Sequence, residues 1–202
     1  VDICGLWSEW WKEYYLKNSR AYKPEQLYVS GPMRPLKGSE RTEEDFKQKK
    51  SPLKVLFISE QVAVPKEVIP YVLTLLEVKD FKVYLIFRPH RDGFEEWLKE
   101  KQPEVYKKAL ERAKILRETI DEAISLCDVV VGSYSNAVLE ALLQLKPLVF
   151  FRTQKWGDYF EIKSLDAQGY FFAENPEELI EKIKKSTNIL KEDLKKLQKQ
   201  FF

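Results

Sequence analysis

Asp128-Val-Val-Val-Gly-Ser-Tyr-Ser-Asn-Ala-Val-Leu-Glu-Ala-Leu142 is the stretch on which the reading of the fold turns. The three valines form an apolar run without polar alternation, the pattern of a strand buried on both faces. Gly132 permits a tight turn. Ser133, Ser135 and Asn136 then stand where a helix begins, expected over Asn136 to Leu145. A strand that passes through a glycine turn into a helix is a repeating piece of a parallel α/β sheet.

The same alternation extends outward over residues 51–185. Lys54 to Ser59, Phe81 to Phe87, Asp128 to Val131, Pro147 to Phe151 and Gly169 to Phe172 read as five strands. Helices are predicted over Val64 to Glu77, Asp92 to Lys101, Pro103 to Leu126 as one long amphipathic element, and Pro176 to Lys185. Pro65 and Pro103 sit where a first helical turn accepts proline. Asn175 is a cap candidate, followed by Glu177 and Glu178 at the positive end of the helix dipole. Apolar strands separated by helices predict a doubly wound, mostly parallel, Rossmann-like α/β sheet over 51–190.

Ligands on such sheets bind beyond the carboxyl ends of the strands, so the chemistry is sought in the residues just after each strand. After Val131, free N–H groups of the helix start and the hydroxyls of Ser133 and Ser135 suit an anion, with Tyr134 and Asn136 beside them. Glu140 lies one turn beyond Asn136 on the same face and is placed to accept hydrogen bonds from a ribose. The alternative is that Ser135 simply caps the helix. After Phe87 comes Arg88-Pro89-His90-Arg91, which contains the sole histidine. Pro89 stiffens the turn, and Arg88, His90 and Arg91 can together face a diphosphate or carboxylate. The alternative there is a histidine capping a carbonyl beside two solvated arginines. Glu60 and Gln61 come directly after the first strand, and Asp158 sits in the long polar loop Arg152 to Tyr159. That loop either covers a substrate or is ordinary surface.

Several chemistries are disfavoured. The loop after the first strand lacks the glycines of a dinucleotide fingerprint, so NAD and FAD are not expected, and no Walker lysine pattern occurs. One histidine and two distant cysteines, Cys4 and Cys127, give no metal-ligand spacing, so neither metal nor cofactor is expected. With 34 basic and 32 acidic residues interleaved, net charge +2, nothing draws the chain to nucleic acid. No apolar run approaches the roughly 20 residues of a membrane span, and no signal peptide is evident.

Residues 1–50 differ in character. Trp7, Trp10, Trp11, Tyr14 and Tyr15 crowd a predicted helix, Leu27 to Ser30 reads as a short strand, and 37–50 is charged and linker-like. The aromatic helix packs on a sheet or a neighbouring domain, mediates a homodimer, or stacks on a sugar. Residues 191–202 form a basic helix ending in Phe201-Phe202.

Arg88-Pro89-His90, the 128–142 stretch and Lys146-Pro147-Leu-Val-Phe150 together resemble the C-terminal domain of GT-B glycosyltransferases. They are most similar to bacterial surface-polysaccharide enzymes, the CDP-glycerol glycerophosphotransferases and CMP-sugar transferases. The resemblance implies that His90, Ser133, Ser135 and Asn136 bind donor phosphate, His90 as the catalytic group that stabilises the leaving phosphate, and that Glu140 meets the donor ribose. Arg91 stands where the relatives carry proline, and Asn136 where they carry a second serine. Residues 5–15 and 27–35 resemble the tail of the first GT-B domain. That makes 1–50 the end of an absent N-terminal domain plus linker, an expectation that the start on Val1 also favours. The resemblance implies a cytoplasmic bacterial or archaeal protein, at most peripheral to the inner membrane face. It would bind a CMP-, CDP- or UDP-sugar, with a glycan or lipid-linked acceptor held by the absent domain. No catalytic base is evident, so the chain alone is expected to bind without turnover. A UDP-N-acetylglucosamine 2-epimerase-like enzyme and a non-catalytic module of a polysaccharide machine remain as alternatives.

Overall fold

The computed structural model describes residues 3–32, 52–58, 65–87, 93–166 and 168–202. Strands β1 (Cys4–Leu6) and β2 (Leu27–Val29) form a small parallel pair, with helix α1 (Glu9–Asn18) between them. The main sheet then begins at β3 (Leu53–Ile58), crosses through α2 (Pro65–Glu77) to β4 (Phe81–Ile86), and continues through α3 (Phe94–Lys101) and α4 (Pro103–Arg112) to β5 (Ala113–Leu116). Helix α5 (Ile120–Ser125) leads to β6 (Val129–Gly132). From there α6 (Asn136–Leu139) runs on as a 3-10 turn (Glu140–Gln144) into β7 (Leu148–Phe151). The chain ends through α7 (Ile162–Leu165), β8 (Phe172–Ala173), α8 (Pro176–Ser186) and α9 (Lys191–Phe201).

The six-stranded sheet has the order β5-β4-β3-β6-β7-β8, and every pairing is parallel. This is the doubly wound architecture that the apolar strands predict. Val55 and Phe57 of β3 point to one face, where α2, α3, α4 and α8 pack. Leu56 and Ile58 point to the other, which is covered by α5, α6, the 3-10 turn, α9 and the aromatic N-terminal segment. Parallel strands need such cover on both faces, because their crossovers lay helices there.

One element departs from the sequence reading. The single helix expected over Pro103 to Leu126 is two helices with strand β5 between them. Val105, Ala109, Leu116, Ile120 and Ile124 recur at near-helical spacing, which hides a four-residue edge strand. The break is marked by Thr119, whose side chain accepts from Glu122 N–H while the Glu122 carboxylate accepts from Thr119 N–H. This capping box is a local start signal that the apolar periodicity outweighs. The last strand also sits slightly later than expected, at Phe172–Ala173.

The aromatic segment packs on the body of the chain. The buried Trp11 donates from Nε1 to the Phe201 carbonyl (3.0 Å) and meets Phe160 edge-on at 5.9 Å. Ser8 Oγ donates to the Gln200 carbonyl (2.8 Å), and Trp7 stacks on Phe202 at 5.2 Å. Residues 3–32 and α9 therefore brace one another. Truncating a buried tryptophan costs about 3–5 kcal/mol through lost transfer energy and a residual cavity. Trp11→Ala is expected to lose a stability in that range, read by urea unfolding, whereas exposed Leu110→Ala should change little.

Candidate functional site

The carboxyl ends of β3, β4 and β6 lie level: Ile58 pairs with Ile86, and Phe57 with Val131. Between β3 and β6 the crossovers diverge to opposite faces, which opens a crevice at that edge. Gly132 ends β6, and the turn Ser133–Asn136 rises directly from it.

Ser133 is buried, Tyr134 and Ser135 are half-buried, and Asn136 is exposed. Ser135 is the cap residue of α6, with extended backbone (φ −157°, ψ 133°), and its Oγ accepts from Ala137 N–H at 3.1 Å. The capping role is therefore present, and it leaves the hydroxyl hydrogen of Ser135 to be directed outward. Glu140 is half-buried one turn further on.

The helix here is shorter than its sequence suggests. Only Asn136–Leu139 is α-helical, and Glu140–Gln144 winds as a 3-10 turn. Gln198 of α9 donates from Nε2 to the Leu142 carbonyl (2.6 Å), and Leu145 ends the turn in the left-handed region (φ 50°). So brief a helix aligns few peptide dipoles, and an anion at this turn would rely on nearby N–H and O–H donors more than on a macrodipole.

The loop beyond β7 closes over the same turn. Tyr134 stacks on Trp156 (4.3 Å, 7°) and meets Tyr159 at right angles (4.2 Å, 88°). Lys155 Nζ lies 4.9 Å from the Trp156 ring centre. Asp158 accepts from Ile162 N–H (2.8 Å) and Lys163 N–H (2.9 Å), so its carboxylate caps α7 and shapes this loop. Glu161 adopts a left-handed backbone (φ 51°) and pairs with Lys17 of α1 at 2.7 Å. The Thr153 hydroxyl is buried and has no hydrogen-bond partner among the described residues, a burial that ordinarily costs about 1–3 kcal/mol. Sequence reasoning picks out this loop but not the clamp on Tyr134, because the pairing is made by residues more than twenty positions apart.

Arg88, His90, Arg91, Glu60 and Gln61 lie outside the described residues, although the strands that lead to them, β4 and β3, end at this same edge. Among the described residues, no group of three or more His, Cys, Asp and Glu side chains is arranged to hold a metal ion. No described helix is long and apolar enough to cross a membrane.

An ion pair between helix α3 and the residue after β5 has no sequence signal. Glu95, only 2% exposed, accepts both guanidinium nitrogens of Arg117 (2.7 Å each) and the Tyr106 hydroxyl (2.9 Å). It ties α3 to the segment just after β5.

No protein-family model matches the sequence, and no curated protein sequence matches it either. Solved structures do match. Anabaena HepE in complex with UDP-glucose superposes with TM-score 0.62 at 18% identity, over 100% of this chain and 60% of that one. A glycosyltransferase from Rickettsia africae gives TM-score 0.61 at 14% identity (100% and 59%). The sucrose-phosphate synthase of Thermosynechococcus elongatus gives 0.61 at 13% identity (100% and 54%). The fold is that of GT-B glycosyltransferases. It corresponds to their Rossmann-like C-terminal domain. The chain spans 54–60% of the length of these proteins.

The hydrogen bonds from Arg117 hold the Glu95 carboxyl down from its ordinary 4.5 to about 2, against the opposing effect of burial. A depressed carboxylate stabilises the fold above its unfolded pKa, and the stabilisation is lost as pH falls towards 2. Glu95→Gln is expected to flatten the stability profile between about pH 4.5 and 2, measured by denaturant unfolding across that range. An unchanged acid limb would show that the pair contributes nothing.

Proposed function

We propose that the chain is the donor-binding half of a two-domain glycosyltransferase, and that the Ser133–Asn136 turn receives the phosphate of a nucleotide sugar. The observation that carries this reading is positional. A Gly-Ser-x-Ser-Asn turn leaves the central strand β6 at the crevice edge of a fold shared, over the whole chain, with glycosyltransferases, one of them solved with UDP-glucose. In this reading N–H groups of the turn and the hydroxyls of Ser133 and Ser135 take the phosphate oxygens, and Glu140 takes the ribose. His90, Arg88 and Arg91 follow β4 in the sequence, and positive or donating groups there would offset charge on the departing nucleotide. Such groups accelerate transfer only if they bind the developing charge better than the ground state. Glu60 and Gln61 follow β3 in the sequence and are further candidate contacts.

The donor is proposed to be a UDP-, CDP- or CMP-linked sugar, used in surface polysaccharide or glycoconjugate synthesis. The Anabaena neighbour bound to UDP-glucose supports UDP, whereas the sequence resemblance favours cytidine nucleotides. Residues 1–50 are proposed to be the end of an acceptor-binding domain, with its linker to this one. The catalytic base would come from there, so the chain alone should bind donor without transferring sugar.

Thermal-shift titration with CMP, CDP, UDP and GDP tests this directly. One pyrimidine nucleotide is expected to raise Tm by several degrees, since ligand at about 100 times Kd adds about 2.7 kcal/mol. Ser135→Ala and His90→Ala are each expected to weaken that nucleotide about tenfold, in line with the loss of one charge-assisted hydrogen bond. A flat response to all four would contradict the proposal.

A further inference from the structure

Tyr134 occupies the middle of the proposed phosphate turn, between Ser133 and Ser135, and its ring is held from outside that turn. Trp156 lies parallel to it at 4.3 Å and Tyr159 stands perpendicular at 4.2 Å, both from the loop after β7. Phe160 lies near-parallel at 6.1 Å and is itself buried against Trp11 and Phe150. That loop is in turn held by the N-terminal helix. Tyr14 Oη donates to the Tyr159 carbonyl (2.8 Å), the two rings sit 5.6 Å apart, and Lys17 pairs with Glu161. The α-helix that this turn opens is four residues long. Hydroxyl and N–H donors serve a phosphate well only if the turn that carries them is preorganised, and small misplacements of such groups are costly.

We propose that Trp156 and Tyr14 are positioning residues for the Ser133–Asn136 turn, Trp156 by clamping Tyr134 and Tyr14 by anchoring Tyr159 against the same ring. The nucleotide site is then built partly from α1, which lies more than a hundred residues upstream. This inference rests on the reading of that turn as the donor-phosphate site. The positioning itself has a readout that needs no nucleotide. Each aromatic contact is worth on the order of a fewfold to tenfold in local opening beyond simple burial. Lys155 Nζ lies over the Trp156 ring, 4.9 Å from its centre.

The test is amide hydrogen exchange of the full chain, followed by mass spectrometry of peptides that cover 132–139, compared with peptides from α2 and α8. Trp156→Ala and Tyr14→Ala are expected to speed exchange in 132–139 by about three- to tenfold and leave α2 and α8 unchanged. Trp156→Phe should restore most of the protection, since a ring still stacks on Tyr134. Tyr14→Phe, which removes only the hydroxyl bond, should give a smaller rise, and it covers the case in which an alanine variant fails to fold. Unchanged exchange in 132–139, or an equal rise in every peptide, would overturn the proposal. Affinity for the nucleotide selected above should fall about three- to tenfold in Trp156→Ala. If the unaltered protein binds no nucleotide, the functional reading falls, while the exchange data still decide whether Trp156 and Tyr14 hold the turn.

Discussion

Strands β3 and β6 lie side by side at the middle of the sheet, and Val55–Ile58 and Val129–Gly132 are buried from end to end. Asp128 reinforces the pair, its carboxylate accepting from Lys54 N–H at 3.0 Å. Because neither strand can show a face to water, helices must cover both sides, and the chain must cross to opposite faces on leaving the two strands. That divergence creates the crevice. It places the carboxyl ends of β3, β4 and β6 on one rim, with the Ser133–Asn136 turn directly beyond β6. The remaining architecture, including the edge strands β5 and β8, extends a geometry already set by this pair.

Much of this is legible in the sequence, and the reason is the same burial. A parallel central strand must be apolar at every position, so Val55–Ile58, Val83–Ile86 and Val129–Val131 stand out without any need for alternation. β5 is hidden because an edge strand of four residues need not be apolar throughout, and Ala113-Lys-Ile-Leu116 continues the spacing of the helix before it. The turn at Ser133–Asn136 is readable from its glycine and hydroxyls. Its surroundings are not, because the clamp of Trp156 and Tyr159 on Tyr134, the buried Thr153 hydroxyl and the Glu95–Arg117 pair depend on tertiary packing between distant segments. The sequence also overstates the helix after the turn. Helix propensity favours Asn136 to Leu145, whereas the winding tightens to a 3-10 turn over Glu140–Gln144, where Gln198 of α9 also donates to the Leu142 carbonyl.

The aromatic residues of α1 acquire a different meaning once placed. Read alone, Trp7, Trp10, Trp11, Tyr14 and Tyr15 are a stripe that packs on a sheet or a neighbouring domain, forms a dimer contact or stacks on a sugar. In the structure they run from Phe201 and Phe202 of the C-terminal end, through Trp11 and Phe160, to Tyr134 at the crevice. Aromatic rings suit such a path, since they bury large areas with few rotatable bonds and interlock edge to face. The consequence is that the N-terminal segment and the C-terminal helix support the turn from behind, although they lie at the two ends of the described chain.

The proposed function stands on a nucleotide phosphate seated on the Ser133–Asn136 turn. Backbone amide chemical shifts of the 15N-labelled chain, monitored through a titration with the uridine and cytidine diphosphates, test it most directly. The largest saturable shifts are expected at the amides of 132–137, with smaller ones at Glu140 and Trp156. Shifts centred instead on the cleft between Leu165–Phe171 and α9 would contradict the account, as would no shifts at all.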